Sequence, residues 1–92
     1  MNTLKQILEK ERTNVSSIYL YLEGEVWYAY GKSAQIISAY LPSVSVSRLD
    51  LLDTVIAAVP FEKAIVRFEN QLALASDDYI EIRLAPSPKI DF

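Results

Sequence analysis

The sequence predicts a single small α/β (α+β) domain: three helices and a mixed β-sheet of about five or six strands, in the order α-β-β-α-β-β-α-β-β. Three observations predict it. Apolar residues recur at helical spacing in three stretches. Each stretch is followed by runs of strand length rich in β-branched, aromatic or alternating apolar residues. No repeat, linker or low-complexity block interrupts the 92 residues, a length that leaves room for one core. A chain of this size buries roughly 60–65% of the surface its unfolded form exposes. The domain is expected to span residues 1–85, with Pro86-Ser87-Pro88 opening a tail over 86–92 that need not be ordered.

The first helix rests on Leu4, Ile7, Leu8 and, if it continues, Glu11, a narrow stripe at i, i+3, i+4, i+7. Thr3 followed by Gln6 fits a capping box, in which hydroxyl and side-chain amide each satisfy a free backbone N–H. Lys5, Glu9, Lys10 and Arg12 form its outer face, and Asn14 marks the exit. Ile18-Tyr19-Leu20-Tyr21-Leu22 and Val26-Trp27-Tyr28-Ala29-Tyr30 are two strands joined by a tight turn at Gly24, within Glu23-Gly24-Glu25. If the turn has two residues, facing positions sum to an odd number. Tyr19 and Tyr21 then share a face with Val26, Tyr28 and Tyr30, and Ile18, Leu20 and Leu22 share the other with Trp27 and Ala29.

Ser33 to Leu41 reads as the second helix, with Ala34, Ile37 and Leu41 near one stripe and Pro42 stopping it. Ser43 to Leu49 alternates Val44 and Val46 with serines, a strand with one polar face. Thr54 to Val59 is a short apolar run closed by Pro60; its branching favours a buried strand, although Leu51 to Val59 also fits a helix. Pro60 suits the entry to a third helix over Phe61 to Glu69, with Ala64, Ile65 and Phe68 on one face. Leu72 to Ser76 and Tyr79 to Leu84 complete the order as a hairpin around Asp77-Asp78.

Composition restricts the chemistry. The chain has no Cys, which excludes disulfides, thiolate nucleophiles and thiolate metal sites. It has no His, which removes the commonest general base and metal ligand. Two glycines, Gly24 and Gly31, cannot build a phosphate-cradling loop. The carboxylate pairs Glu23/Glu25, Asp50/Asp53 and Asp77/Asp78 sit at predicted turns and loops, and no acidic cluster has the spacing of an oxygen-ligand metal site. A non-enzymatic protein without cofactor, metal or catalytic residues is expected. A formal charge of −3 argues against strong autonomous binding to a polyanion, although not against a local patch. Met1-Asn2-Thr3-Leu4-Lys5-Gln6 has no leader-like apolar segment and no apolar run is long enough for a membrane span, so a cytoplasmic protein without membrane partners is expected.

Five of the ten aromatic residues lie between Tyr19 and Tyr30, and four are tyrosines on one expected sheet face. Such a face has three readings. Helices can cover it, with the hydroxyls finding partners at the edge. It can dock a protein, where tyrosine gives large contact area with a polar tip. It can stack bases, as single-strand binders do. The candidate surface is Val26, Tyr28, Tyr30, Tyr19 and Tyr21, with Lys32 the basic residue next to it in sequence.

Two blocks carry a family resemblance. Leu20-Tyr21-Leu22-Glu23-Gly24-Glu25-Val26-Trp27-Tyr28-Ala29-Tyr30 followed by Ser33-Ala34, and Ile56-Ala57-Ala58-Val59-Pro60-Phe61 with Ala64 and Ile65, resemble in order and spacing the amino-terminal, mismatch-recognition domain of MutS mismatch-repair proteins. The leading helix also sits where that family places one, so the match runs from about Asn2 to Glu69. The resemblance implies that domain's fold, with Thr54 to Val59 as a strand. In the family a Phe-x-Glu motif on the second strand reads the mismatch; aligned by Gly24, those positions are Val26 and Tyr28. The resemblance therefore implies a stand-alone recognition-type module with its reading motif replaced. Possible partners are DNA, bound weakly and beside another protein, or in the alternative a protein partner or second copy held by the tyrosine face.

Overall fold

The computed structural model describes residues 3–50 and 53–84. Within them the chain forms α1 (Leu4–Arg12), β1 (Ser17–Glu23), β2 (Val26–Tyr30), α2 (Gly31–Tyr40), β3 (Val46–Leu49), β4 (Thr54–Val59), α3 (Phe61–Arg67), β5 (Leu72–Ala75) and β6 (Tyr79–Arg83), with a short 3-10 turn at Glu69–Gln71 before β5. The expected order of three helices and six strands is the observed one, and Thr54–Val59 is a strand. The tail over 86–92 lies outside the described residues.

The strands form one sheet in the order β3-β4-β2-β1-β6-β5. Every pairing is antiparallel, where a mixed sheet was expected. The reason is the reach of the two helical crossovers. Each joins strands that run the same way: α2 carries the chain from β2 to β3, and α3 from β4 to β5. In both cases at least one other strand lies between the two, so no parallel strands become neighbours.

The β1–β2 hairpin pairs Tyr21 with Tyr28, Leu22 with Trp27 and Glu23 with Val26, so Gly24 and Glu25 form a two-residue turn. Gly24 has φ 68° and Glu25 is not in the left-handed region, the pattern of a type II′ turn. The expected parity of the two strands is therefore the observed one.

One sheet face carries the dry core. Ile18, Leu20, Ala29, Ala57, Val59, Ile80 and Ile82 from the strands pack with Ala34 and Ile37 of α2 and with Ala64 of α3 and Phe68 just after it. Fully burying a side chain such as Phe68 or Leu20 contributes roughly 1.5–3 kcal/mol. Trp27 extends this layer by stacking on Phe61, with ring centroids 5.2 Å apart. Val44, expected within a strand, instead precedes β3 and is buried in this core, whereas Val46 on the edge is exposed. The edge strand β3 carries Arg48, which holds both Asp50 and Asp53 in its guanidinium fork at 3.1 and 2.8 Å. On the opposite edge, β5 reads Leu-Ala-Leu-Ala and is exposed along its whole length. Among the described residues no helix is long and apolar enough to cross a membrane.

Candidate functional site

The second sheet face holds the tyrosines. Because side chains alternate along a strand, cross-strand partners stack into rows on one face. One row runs Tyr79, Tyr21, Tyr28, Ala58 across β6, β1, β2 and β4. Glu81 pairs with Tyr19, and Tyr30 with Ile56, on the same face. The rings meet: Tyr21 and Tyr79 have centroids 5.3 Å apart, Tyr21 and Tyr30 6.1 Å, and Tyr19 stacks on Tyr79 at 6.3 Å. Tyr79 was not among the sequence-derived candidates. Its alternation with Ile80 and Ile82 announces a face, but only the pairing of β6 with β1 brings it beside Tyr21.

Two hydroxyls find acidic partners. Tyr30 donates to Glu23 Oε2 at 2.7 Å, and Tyr79 to Glu81 Oε1 at 3.2 Å. The Tyr21 hydroxyl is buried and has no hydrogen-bond partner among the described residues. Burial, reinforced by the neighbouring acids, pushes Tyr21, Tyr30 and Tyr79 well above the usual phenol range. All three phenols are therefore neutral at physiological pH, and those of Tyr30 and Tyr79 act as donors. Glu81 is held below the ordinary carboxylate range, first by its hydrogen bond from Arg83 and also by the Tyr79 hydroxyl.

Helix α1 covers part of this face. Its start is fixed by the expected capping box: Gln6 N–H donates to the Thr3 hydroxyl, and Thr3 N–H to the Gln6 side chain. Ile7 packs against Tyr21 and Tyr30. Lys10, expected on the outer face, lays its amino group 4.8 Å from the ring centroids of both Tyr19 and Tyr79. Its long stem reaches back toward the sheet and sets the charge over the two rings.

Glu11 completes the attachment. Tyr30, at the N-cap of α2, has no capping side chain, and Glu11 of α1 takes that role from outside the helix. It accepts the Ser33 N–H at 2.9 Å and the Ser33 hydroxyl, and Asn14 Nδ2 at 3.2 Å. The Ser33 oxygen in turn accepts the Tyr19 N–H at 2.9 Å, tying α1 and α2 to β1. Desolvation outweighs these bonds and raises the Glu11 carboxyl above its ordinary value. Gly31, at φ 53°, lets α2 start directly after β2; a Cβ there would lie 3.3 Å from Glu11 Cβ.

The six candidate surface residues divide accordingly. Tyr21 and Tyr30 lie beneath α1, each 3% exposed. Tyr19 and Tyr28 are half-buried, and Val26 is 39% exposed. Lys32 is at the other end of β2 from Val26 and lines a cleft of about 480 Å³ with Leu8, Arg12 and Thr54. The open part of the face is thus Val26, Tyr28 and Ala58, with the exposed Glu23 and Glu25 beside them.

The remaining carboxylates have structural partners or none. Asp50 and Asp53 hold Arg48, and Asp77 and Asp78 are exposed in the β5–β6 turn. Among the described residues no group of three or more acids is placed to hold a metal ion. Comparison with known proteins adds no relative: no family model matches the chain, and neither the curated proteins nor the solved structures give a significant match.

Proposed function

We propose that this chain is a non-enzymatic binding module that docks another protein on the tyrosine-bearing face of its sheet. The observation that supports the reading most is the open strip beside α1. Val26 and Ala58 are exposed on a sheet face whose neighbouring ring, Tyr28, is only half-buried. An apolar strip edged by aromatic rings with polar tips is the composition of a protein interface. The MutS-like order of blocks would direct the same strip at DNA. The acids Glu23 and Glu25 stand beside it, and no Lys or Arg lies among Val26, Tyr28 and Ala58, which favours a protein over a phosphate backbone.

A photo-crosslinking phenylalanine derivative in place of Tyr28 tests the reading in cells that make the chain. A discrete protein adduct, abolished by Val26→Glu, is expected. An adduct to nucleic acid transfers the reading to DNA, and the absence of any Val26-dependent adduct overturns it.

A further inference from the structure

The covered half of the tyrosine face is closed by a helix with few anchors. Of α1, only Ile7 and Glu11 are buried, and Leu4 remains 38% exposed. The closure also carries two polar costs: the Tyr21 hydroxyl is left without a partner, and the Glu11 carboxyl is desolvated. Water would relieve both on opening. Leu4–Arg12 consists largely of strong helix formers, with a capping box at one end and Lys10 and Arg12 at the other, so a segment already biased toward helix is completed by its packing on the sheet.

We infer that the surface under α1 is a helix-binding groove, occupied in cis by α1 and open to an amphipathic helix of a partner protein. This rests on the docking reading above and names the partner's chemistry. The groove takes an apolar side chain against Tyr21 and Tyr30, as it takes Ile7. Three positions later it takes a cation over the Tyr19 and Tyr79 rings, with Glu81 alongside. The next position is a carboxylate received by the Ser33 N–H and hydroxyl at the start of α2. The partner helix is thus apolar-x-x-cation-acid, and its charges match the groove in sign and order. Because only Thr13–Ser16 joins α1 to β1, α1 competes at an effective concentration on the order of millimolar. A partner prevails by adding contacts that α1 does not make, and the strip of Val26, Tyr28 and Ala58 is adjacent.

Hydrogen exchange on the unaltered chain tests the first requirement. The amides of α1 are expected to exchange at least about 30-fold faster than those of Leu20 and Ile80, because α1 opens without the sheet. Exchange of α1 in step with the sheet overturns the inference. The second test uses a fluorescein-labelled peptide of the sequence Thr3–Arg12 as probe. It is expected to bind the Ile7→Ala chain at least about tenfold more tightly than the unaltered chain, since the resident helix is weakened. The same peptide with Lys10→Ala and Glu11→Ala should bind neither. Equal binding to both chains, or to neither, overturns the proposal; if Ile7→Ala does not fold, the exchange measurement decides alone. A dimer of the unaltered chain by light scattering assigns the groove to α1 of a second copy and overturns the separate partner. Peptide exchange without a crosslink at position 28 removes the docking reading of the open strip but not the groove, and a crosslink with α1 exchanging in step with the sheet removes the groove alone.

Discussion

The two faces of the sheet are built by different rules. The α2–α3 face is apolar and dry, with Ile18, Leu20, Ile80, Ile82 and Phe68 at 0–2% exposure and no polar group among them. The α1 face uses rings with hydroxyls, closes over them with one helix, and relies on Ile7 and Glu11 for the closure. The same strands supply both, because alternate residues point to opposite sides. The first arrangement holds the fold. The second holds one helix against the sheet through Ile7, Lys10 and Glu11.

The contrast is sharpest in what each face loses on truncation. Phe68→Ala should cost about 3–5 kcal/mol, measured by urea denaturation, because its cavity is enclosed by α2, α3 and the sheet. A loss under about 2 kcal/mol would place the main core elsewhere. Ile7→Ala should cost about 2 kcal/mol, the low end for such a truncation, since α1 can settle toward the sheet. If it cost as much as Phe68→Ala, the two faces would be equivalent. Tyr21→Phe removes the unpartnered hydroxyl and should leave stability unchanged or raise it by about 1 kcal/mol. A clear loss would mean that this hydroxyl has a partner.

The smallest expected effect depends on pH. The folded state raises the Glu11 carboxyl above its ordinary value of 4.5, so the folded chain binds that proton more readily than the unfolded one. Its contribution is fully present below the unfolded value and is lost as pH rises through the folded value. The stability of the unaltered chain relative to Glu11→Gln should therefore increase as pH falls from 7 toward 4.5, measured by denaturation at each pH. Glu81 titrates in the opposite sense. Held low by Arg83, it stabilises the fold above the ordinary carboxylate value, and that contribution is lost as pH falls through its lowered value. A Glu81→Gln control separates the two.

Local features of this fold were readable along the chain. The capping box at Thr3 and Gln6, the turn at Gly24 and the parity of the hairpin all follow from residues a few positions apart. The strand order did not follow, because it depends on pairings between segments far apart in sequence, such as Tyr21 with Tyr79 and Tyr28 with Ala58. That is why the face of Tyr19, Tyr21, Tyr28 and Tyr30 was foreseen without Tyr79. The role of Glu11 left a faint signal, an acid on the apolar stripe of the first helix; the start of α2 at Gly31 rather than Ser33, with Tyr30 unable to cap it, appears only in the structure. Lys10 left none, since a helical wheel puts it outside and only its reach brings it back over the rings.

The chain's single tryptophan, Trp27, stacks on Phe61 in the α2–α3 layer, while five of its six tyrosines belong to the α1 face. Each side of the sheet thus carries its own intrinsic chromophore. Tryptophan emission reports on the layer that keeps the domain folded, and tyrosine absorbance on the layer that α1 covers. Release of α1 would change the tyrosine spectrum while the tryptophan signal stayed native, so a movement of this helix can be followed in the unlabelled protein by light alone.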